Sequence, residues 1–172
     1  IGNLPFSDYL GITAAADQII QGGQRLMTIG GDHSITYPLL RAHRRHYSNF
    51  AVLQIDAHGD LYDNFMGNAY SHACPFARIM EEGLCDRLVQ VGIRTLNPHQ
   101  RQQAEKFGVE QIEMRHIAEK IQELHFTQPL YISFDIDGID PAFAPGVSHH
   151  EPGGLSVREA IAILHRIKVP II

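Results

Sequence analysis

Residues 51–60 read AVLQIDAHGD, a short and mostly apolar run followed directly by carboxylate and imidazole side chains. The apolar part is typical of a strand buried in a parallel sheet. The polar residues Asp56, His58 and Asp60 therefore fall at the carboxyl end of that strand. Ligands gather at this end of the strands in open parallel sheets. The stretch predicts an α/β fold with a functional site at one sheet edge.

Two further stretches repeat this arrangement. The run LMTI at 26–29 precedes Gly-Gly-Asp-His33, and LYISF at 130–134 precedes Asp135 and Asp137. If both runs are strands, three strands deliver their polar side chains to one edge of one sheet. Alternatively, these residues only cap turns after strands, but three independent strand ends with the same pattern argue against that reading. The predicted set is His33, Asp56, His58, Asp60, Asp135 and Asp137.

Four carboxylates and two imidazoles form a hard oxygen and nitrogen ligand set, which suits manganese, magnesium or zinc and disfavours Fe–S clusters. Successive side chains of a strand point to opposite faces, so part of each polar run must leave strand geometry to converge. Six ligands exceed the needs of one tetrahedral zinc. They fit two divalent ions about 3.5–4 Å apart, whose shared water becomes a hydroxide nucleophile near neutral pH.

Apolar runs alternate with helical patterns along the chain, which predicts a three-layer α/β/α domain with a mainly parallel sheet. A single domain is expected over 1–172, incomplete at both ends, because the chain starts at Ile1 and stops inside an apolar run. Ser7 is the expected N-cap of the first helix, and Ser156 opens the last helix with a capping box. Helices are predicted at 7–21, 34–46, 76–82, 98–107, 117–124 and 156–167. Strands are predicted at 26–29, 50–55, 88–93, 109–114, 130–134 and from 169. Long loops are predicted at 57–71 and 138–155.

Composition excludes several classes of partner. The formal net charge is −5 and no Lys/Arg run occurs, which argues against nucleic acid. No apolar stretch has the length of a membrane span, so no membrane partner is expected. The two cysteines, Cys74 and Cys85, form no zinc or disulfide pattern, which favours a reduced, intracellular and cytoplasmic setting.

The three motifs resemble those of the ureohydrolases, the arginase and agmatinase family. The sequence around the three motifs is similar to that of plant-type arginases. The similar stretches are YSHA at 70–73, FARIME at 76–81, LVQVGIR at 88–94, FGVEQ at 107–111 and DPAFAPGVSHHEPGGL at 140–155. The resemblance covers nearly the whole chain from Gly30. It implies an arginase-like fold, two Mn²⁺ ions and hydrolysis of L-arginine to L-ornithine and urea. It also implies a homo-oligomer, a trimer or hexamer, and an organellar location if the source is a plant.

The resemblance also suggests roles for individual residues. His72 would move a proton to the departing amine, a task suited to imidazole, and Asp60 would take protons from the metal-bound water. Asn68 and His150 would contact the substrate, although a role in fixing turns explains each of them equally well. Residues 147–150 read VSHH where agmatinases have Thr-Gly-Thr-Pro. The glutamate that holds the guanidinium in the family would lie beyond Ile172.

Three hypotheses remain open. The first is release of urea from a guanidino compound, with arginine favoured and agmatine or another guanidino acid next. The second is metal-dependent hydrolysis of a different C–N bond, such as the acetyl amide of a polyamine. The third is an inactive metal-binding fragment or a structural subunit of an oligomer. Urea release separates the first hypothesis from the other two.

Overall fold

A computed structural model of the protein describes residues 2–172 and contains a four-stranded parallel sheet in the order β3-β2-β1-β4. The central strand β1 pairs with β2 on one side and with β4 on the other. Within the described part of the chain, no helix combines the length and apolar character needed to cross a membrane. The strands are β1 Ala51–Ile55, β2 Arg87–Ile93, β3 Glu110–Glu113 and β4 Leu130–Phe134, and the helices are α1 Gly11–Gln21, α2 Thr36–His46, α3 Pro75–Glu81, α4 Pro98–Phe107, α5 Ile117–Lys120 and α6 Val157–Arg166.

Helices cover both faces of this sheet, which confirms the predicted three-layer α/β/α architecture. Side chains alternate along β1, so Val52 packs with α2, α3 and α4, while Leu53 packs against α6 on the opposite face. Helix α1 lies outside α2 and shares a small cluster with it. All five residues of β1 are buried. The sheet therefore gives its carboxyl edge a rigid base.

Local signals at several helix ends act as the sequence predicts. Ser156 and Glu159 form the reciprocal capping box that opens α6. Pro75 and Pro98 occupy the first turns of α3 and α4, where a missing backbone N–H has no cost. Helix α4 ends at Gly108, whose positive φ of 65° suits the left-handed C-cap.

Four expected features of secondary structure are wrong. Residues 26–29 form no strand, because no described strand lies beside them to complete a hydrogen-bond ladder, and Met27 and Ile29 are 88% and 90% exposed. Ser7 is not an N-cap, since α1 begins at Gly11 and the Asp8 side chain accepts from the Gly11 N–H. Helix α5 ends at Lys120 because the chain continues as turns. The strand expected from 169 is a single bridge from Ile171 to Leu130.

Candidate metal centre

Two neighbouring strands deliver five of the six predicted side chains to one sheet edge. Asp56 extends β1 and its N–H donates to the Val91 carbonyl, while the Asp135 N–H donates to the Ile55 carbonyl. Both runs then leave strand geometry, as the convergence requires. The chain turns at Asp60, where φ is +48°, and a 3₁₀ turn over Ile136–Gly138 follows Asp135. These turns bring residues together that a regular strand would point to opposite faces.

His33 reaches this edge from a 3₁₀ turn rather than from a strand. The Asp32 side chain caps that turn by accepting from the Ser34 N–H. The His33 Nε2 atom lies 2.8 Å from Ser133 Oγ on β4, a contact that fixes the orientation of the ring. Its other nitrogen, Nδ1, faces three carboxylates: Asp56 Oδ2 at 3.0 Å, Asp60 Oδ2 at 3.1 Å and Asp135 Oδ2 at 3.4 Å.

His58 forms the second half of the cluster. Its Nδ1 lies 3.1 Å from Asp137 Oδ2 and 3.5 Å from Asp56 Oδ1. Two triads result, His33–Asp56–Asp135 and Asp56–His58–Asp137, and the ligand atoms within each lie within 4.8 Å of one another. Asp56 belongs to both triads and is fully buried. The two groups of candidate ligands therefore adjoin each other and share one carboxylate.

Charge and burial oppose each other throughout this cluster. Burial lowers the pKa of His33, but Asp135, Asp56 and Asp60 outweigh it and raise that pKa well above its ordinary value. Burial alone would raise the pKa of Asp56, yet the two imidazoles hold it below its usual range. The pKa of Asp60 is raised by burial and by the neighbouring Asp56 charge. Such a concentration of buried carboxylates needs positive charge to be stable.

His33 Nδ1 provides a direct test of whether a metal fits. The atom is buried and makes no hydrogen bond of sound geometry, although three carboxylate oxygens surround it. Without a cation, Nδ1 must carry a proton to face these anions, in accord with the raised pKa of His33. A cation at this point satisfies the imidazole and the carboxylates together. The donor set, oxygen and nitrogen without sulfur, matches a hard divalent ion.

A groove of about 1270 Å³ opens over the two triads. His72 lies in its wall and outside both triads. The His72 ring is 5.8 Å from the ring of Phe65 and 6.4 Å from that of His149, between centroids. The His149 ring in turn lies 5.5 Å from that of His58. A chain of imidazoles therefore runs from the triad of His58 to the solvent side of the groove.

The groove wall does not include Asn68 or His150, the two predicted substrate contacts. The Asn68 carboxamide accepts from the Tyr70 N–H at 2.9 Å, and His150 Nε2 lies 3.1 Å from the Pro145 carbonyl. Both side chains thus fix turns of their own loops in this structure.

Glu151 and Arg94, which had no predicted role, lie near the centre together with His149, for which substrate contact and a role in fixing the turn were equally good hypotheses. Glu151 Oε1 is 3.9 Å from His58 Nε2, and His149 stands beside it in the groove wall. Arg94 donates to the carbonyls of Asp137 at 2.7 Å and Glu151 at 2.6 Å, which ties the 138–155 loop to the triad that contains Asp137. The sequence signal for Arg94 was a lone arginine directly after an apolar strand, and the signal for the other two was the polar run inside a long loop.

The chain is similar in sequence to proteins of known family. A family model described as the arginase family matches residues 7–172. Mitochondrial arginase 1 of Arabidopsis thaliana is 49% identical over 155 residues, which cover 86% of this chain and 45% of the relative. The N(1)-aminopropylagmatine ureohydrolase of Thermus thermophilus is 40% identical over 86% of this chain and 52% of the relative.

A solved arginase structure also resembles this chain in fold. Arginase from Medicago truncatula superimposes with a TM-score of 0.88 at 43% identity, covering 92% of this chain and 52% of that structure. The chain therefore spans about half the length of the relatives it matches.

Proposed function

The chain belongs to the arginase family, and on that premise we propose that the protein hydrolyses a guanidino compound to urea and an amine. L-Arginine, yielding L-ornithine and urea, is the favoured substrate, since relatives at 49–51% identity over most of this chain come from plants and are named arginases. The observation that carries the proposal is the pair of carboxylate–imidazole triads sharing Asp56 at the sheet edge. Residues 1–172 are a single ureohydrolase-like catalytic domain in this proposal.

The six converging side chains would hold two divalent ions, Mn²⁺ by preference. His33, Asp56 and Asp135 would hold one ion and Asp56, His58 and Asp137 the other, while Asp60 would add a carboxylate beside His33. When bound, such ions polarise substrate oxygen or nitrogen and lower the pKa of water toward neutrality. Ser133 supports this set by holding the His33 ring in one orientation.

Proton transfer is assigned to groups of the chain itself. Asp60 takes a proton from the attacking water, since its carboxylate lies at the centre of the cluster, 3.1 Å from His33 Nδ1. His72 delivers a proton to the departing amine, without which the amine is a poor leaving group. Phe65 and His149 hold the His72 ring from two sides.

Substrate recognition is assigned to the groove wall. Glu151 places a carboxylate beside His58, where it attracts a cationic guanidinium or ammonium group. Asn68 and His150 remain proposed contacts for the polar tail of the substrate. To contact the substrate, Asn68 would have to give up its hydrogen bond with the Tyr70 N–H, and His150 its hydrogen bond with the Pro145 carbonyl.

Agmatine or a related guanidino amine is the second candidate substrate. The relative from Thermus thermophilus favours this reading, since it is named as an aminopropylagmatine ureohydrolase. Arginine carries a carboxylate that agmatine lacks, so the two substrates differ in charge at the tail. Comparison of their turnover decides between them.

The test is urea release by the full-length protein loaded with Mn²⁺, with L-arginine, agmatine and shorter guanidino acids as substrates. Asp56→Asn, which removes the shared carboxylate, is the matched inactive control. Acetate release from an acetylated polyamine without urea would favour another C–N hydrolase. Metal binding without either product would favour a structural subunit. Light scattering tests the proposed trimer or hexamer, and cell fractionation tests an organellar location.

A further inference from the structure

A row of polar side chains crosses the sheet on one face, and its members on β1 and β4 lie two residues before Asp56 and Asp135. The strand register pairs Gln54 with Gln90 and Ser133, and pairs Gln90 with Gln111, so each of the four strands contributes one residue. Gln54 and Gln90 have no exposed surface. Buried amides at the centre of a sheet destabilise a protein unless all their groups are paired.

Both amide hydrogens of each central glutamine are used. Gln54 Nε2 donates to Asp56 Oδ2 at 2.7 Å and to the His58 carbonyl at 3.0 Å. Gln90 Nε2 donates to Gln54 Oε1 at 2.6 Å and to the Gly59 carbonyl at 2.6 Å. The row therefore holds the loop at three residues, Asp56, His58 and Gly59.

The chemistry of the partners forces a single direction on these amides. The Asp56 carboxylate and the His58 carbonyl only accept hydrogen bonds, so Gln54 must turn its nitrogen toward them. Its oxygen then faces β2, where it needs a donor, and Gln90 supplies one. The oxygen of Gln90 is satisfied in the same way by Gln111 Nε2 at 2.7 Å. Each amide thus fixes the orientation of the next, from the sheet edge to the carboxylate.

We propose that Gln111, Gln90 and Gln54 form a positioning relay that orients the Asp56 carboxylate and holds the 56–59 loop in ligand geometry. The inference rests on the proposed metal centre, since its purpose is to place a ligand shared by both ions. Gln90 is the diagnostic member, because it contacts no ligand side chain and acts on Asp56 only through Gln54. Supporting partners of this kind typically change metal affinity by about 10–100-fold.

Gln90→Met removes the relay at its midpoint while keeping the length of the side chain. It leaves Gln54 Oε1 and the Gly59 carbonyl without their donors, so the Gln54 amide loses the contact that fixes its direction. The matched control is Leu88→Val. Leu88 lies on the same strand and the same face as Gln90, but it packs in the apolar cluster and takes no part in the row.

The experiment titrates Mn²⁺ into the metal-free full-length protein by calorimetry and follows hydrogen exchange of residues 56–61 before metal is added. Gln90→Met should weaken Mn²⁺ binding by about 10–100-fold and speed exchange over 56–61. Leu88→Val should lower the unfolding temperature and leave both readouts close to wild type. Wild-type affinity and exchange in Gln90→Met would overturn the proposal, as would equal losses of affinity in both variants.

A second variant covers the case in which Gln90→Met does not fold. Gln111→Met at the outer strand removes only the donor to Gln90, and it should weaken Mn²⁺ binding by a smaller factor; an unchanged affinity would overturn the relay. Failure of the proposed function has a different signature, since the wild-type protein itself would then bind no Mn²⁺ or release no urea. Hydrogen exchange of residues 56–61 in the metal-free variants would still decide whether the relay orders the loop that carries Asp56 and His58.

Discussion

Gly138→Ala tests how closely the two halves of the metal centre must approach. A Cβ atom on Gly138 would lie 2.9 Å from the Asp56 nitrogen, 3.1 Å from the Asp56 Cα and 3.2 Å from the Ile55 carbonyl carbon. All three atoms belong to the backbone and have no rotamer to change. Ordinary contact begins at 3.4 Å, so the 3₁₀ turn must retreat from the end of β1 by the difference, 3.4 − 2.9, or about 0.5 Å.

This displacement carries Asp137 away from His58 and Asp56. Overpacking of this size costs about 1–3 kcal/mol of stability. A functional constellation tolerates errors of only about 0.5 Å, and a misplacement of about 1 Å can cost about 10²-fold in rate. We therefore expect Gly138→Ala to lose bound Mn²⁺ and to release urea roughly 10-fold to 10²-fold more slowly.

Elemental analysis, urea release and thermal unfolding are measured on the same preparations of wild type, Gly138→Ala and Gly146→Ala. Gly146 is the matched control, because an added Cβ there would meet nothing within 4 Å. The control should keep wild-type metal content and stability. A Gly138→Ala protein with full metal content and full activity would refute the argument that backbone contact sets the spacing of the ligands.

Three further outcomes are expected. His72→Asn should keep both metal ions and lower kcat by about 10²–10⁴ with little change in KM, as metal analysis and steady-state kinetics can check. Chelation should abolish urea release, and Mn²⁺ should restore it better than Ca²⁺, which prefers more and longer oxygen contacts; undiminished release from metal-free protein would contradict this. Burial lowers the pKa of His43, so the free energy of unfolding should fall as pH drops below about 6.5, by up to about 1.4 kcal/mol per pH unit. Denaturant titrations of metal-free wild type and His43→Gln should show this slope as their difference.

Sequence reasoning worked best where hydrophobic pattern and chain direction decide the outcome. The apolar run before Asp56 became the buried strand β1, and the run before Asp135 became β4 beside it. Parallel neighbours end at the same edge, so their polar extensions had to meet there. The Ser156 capping box opened α6 for an equally local reason.

It failed where a local pattern depends on a distant partner. Residues 26–29 have the composition of a strand, but a strand needs a neighbour for its hydrogen bonds, and the described residues provide none there. Asn68 and His150 stay predictions as substrate contacts; in this structure each is hydrogen-bonded to a nearby backbone atom, an arrangement that residue type alone does not reveal.

The sequence by itself determined the α/β class and the kind of chemistry, because alternation of apolar runs and a ligand set without thiolates are properties of residue order and residue type. Only the tertiary structure decided that Asp56 stands between two imidazoles and that His149 and Glu151 enter the groove. The same holds for the glutamine row beneath Asp56, which depends on register across three strands. Register places residues 20 or more positions apart in hydrogen-bond contact, and no pattern along the chain records such pairings, since they arise from backbone hydrogen bonds between whole strands.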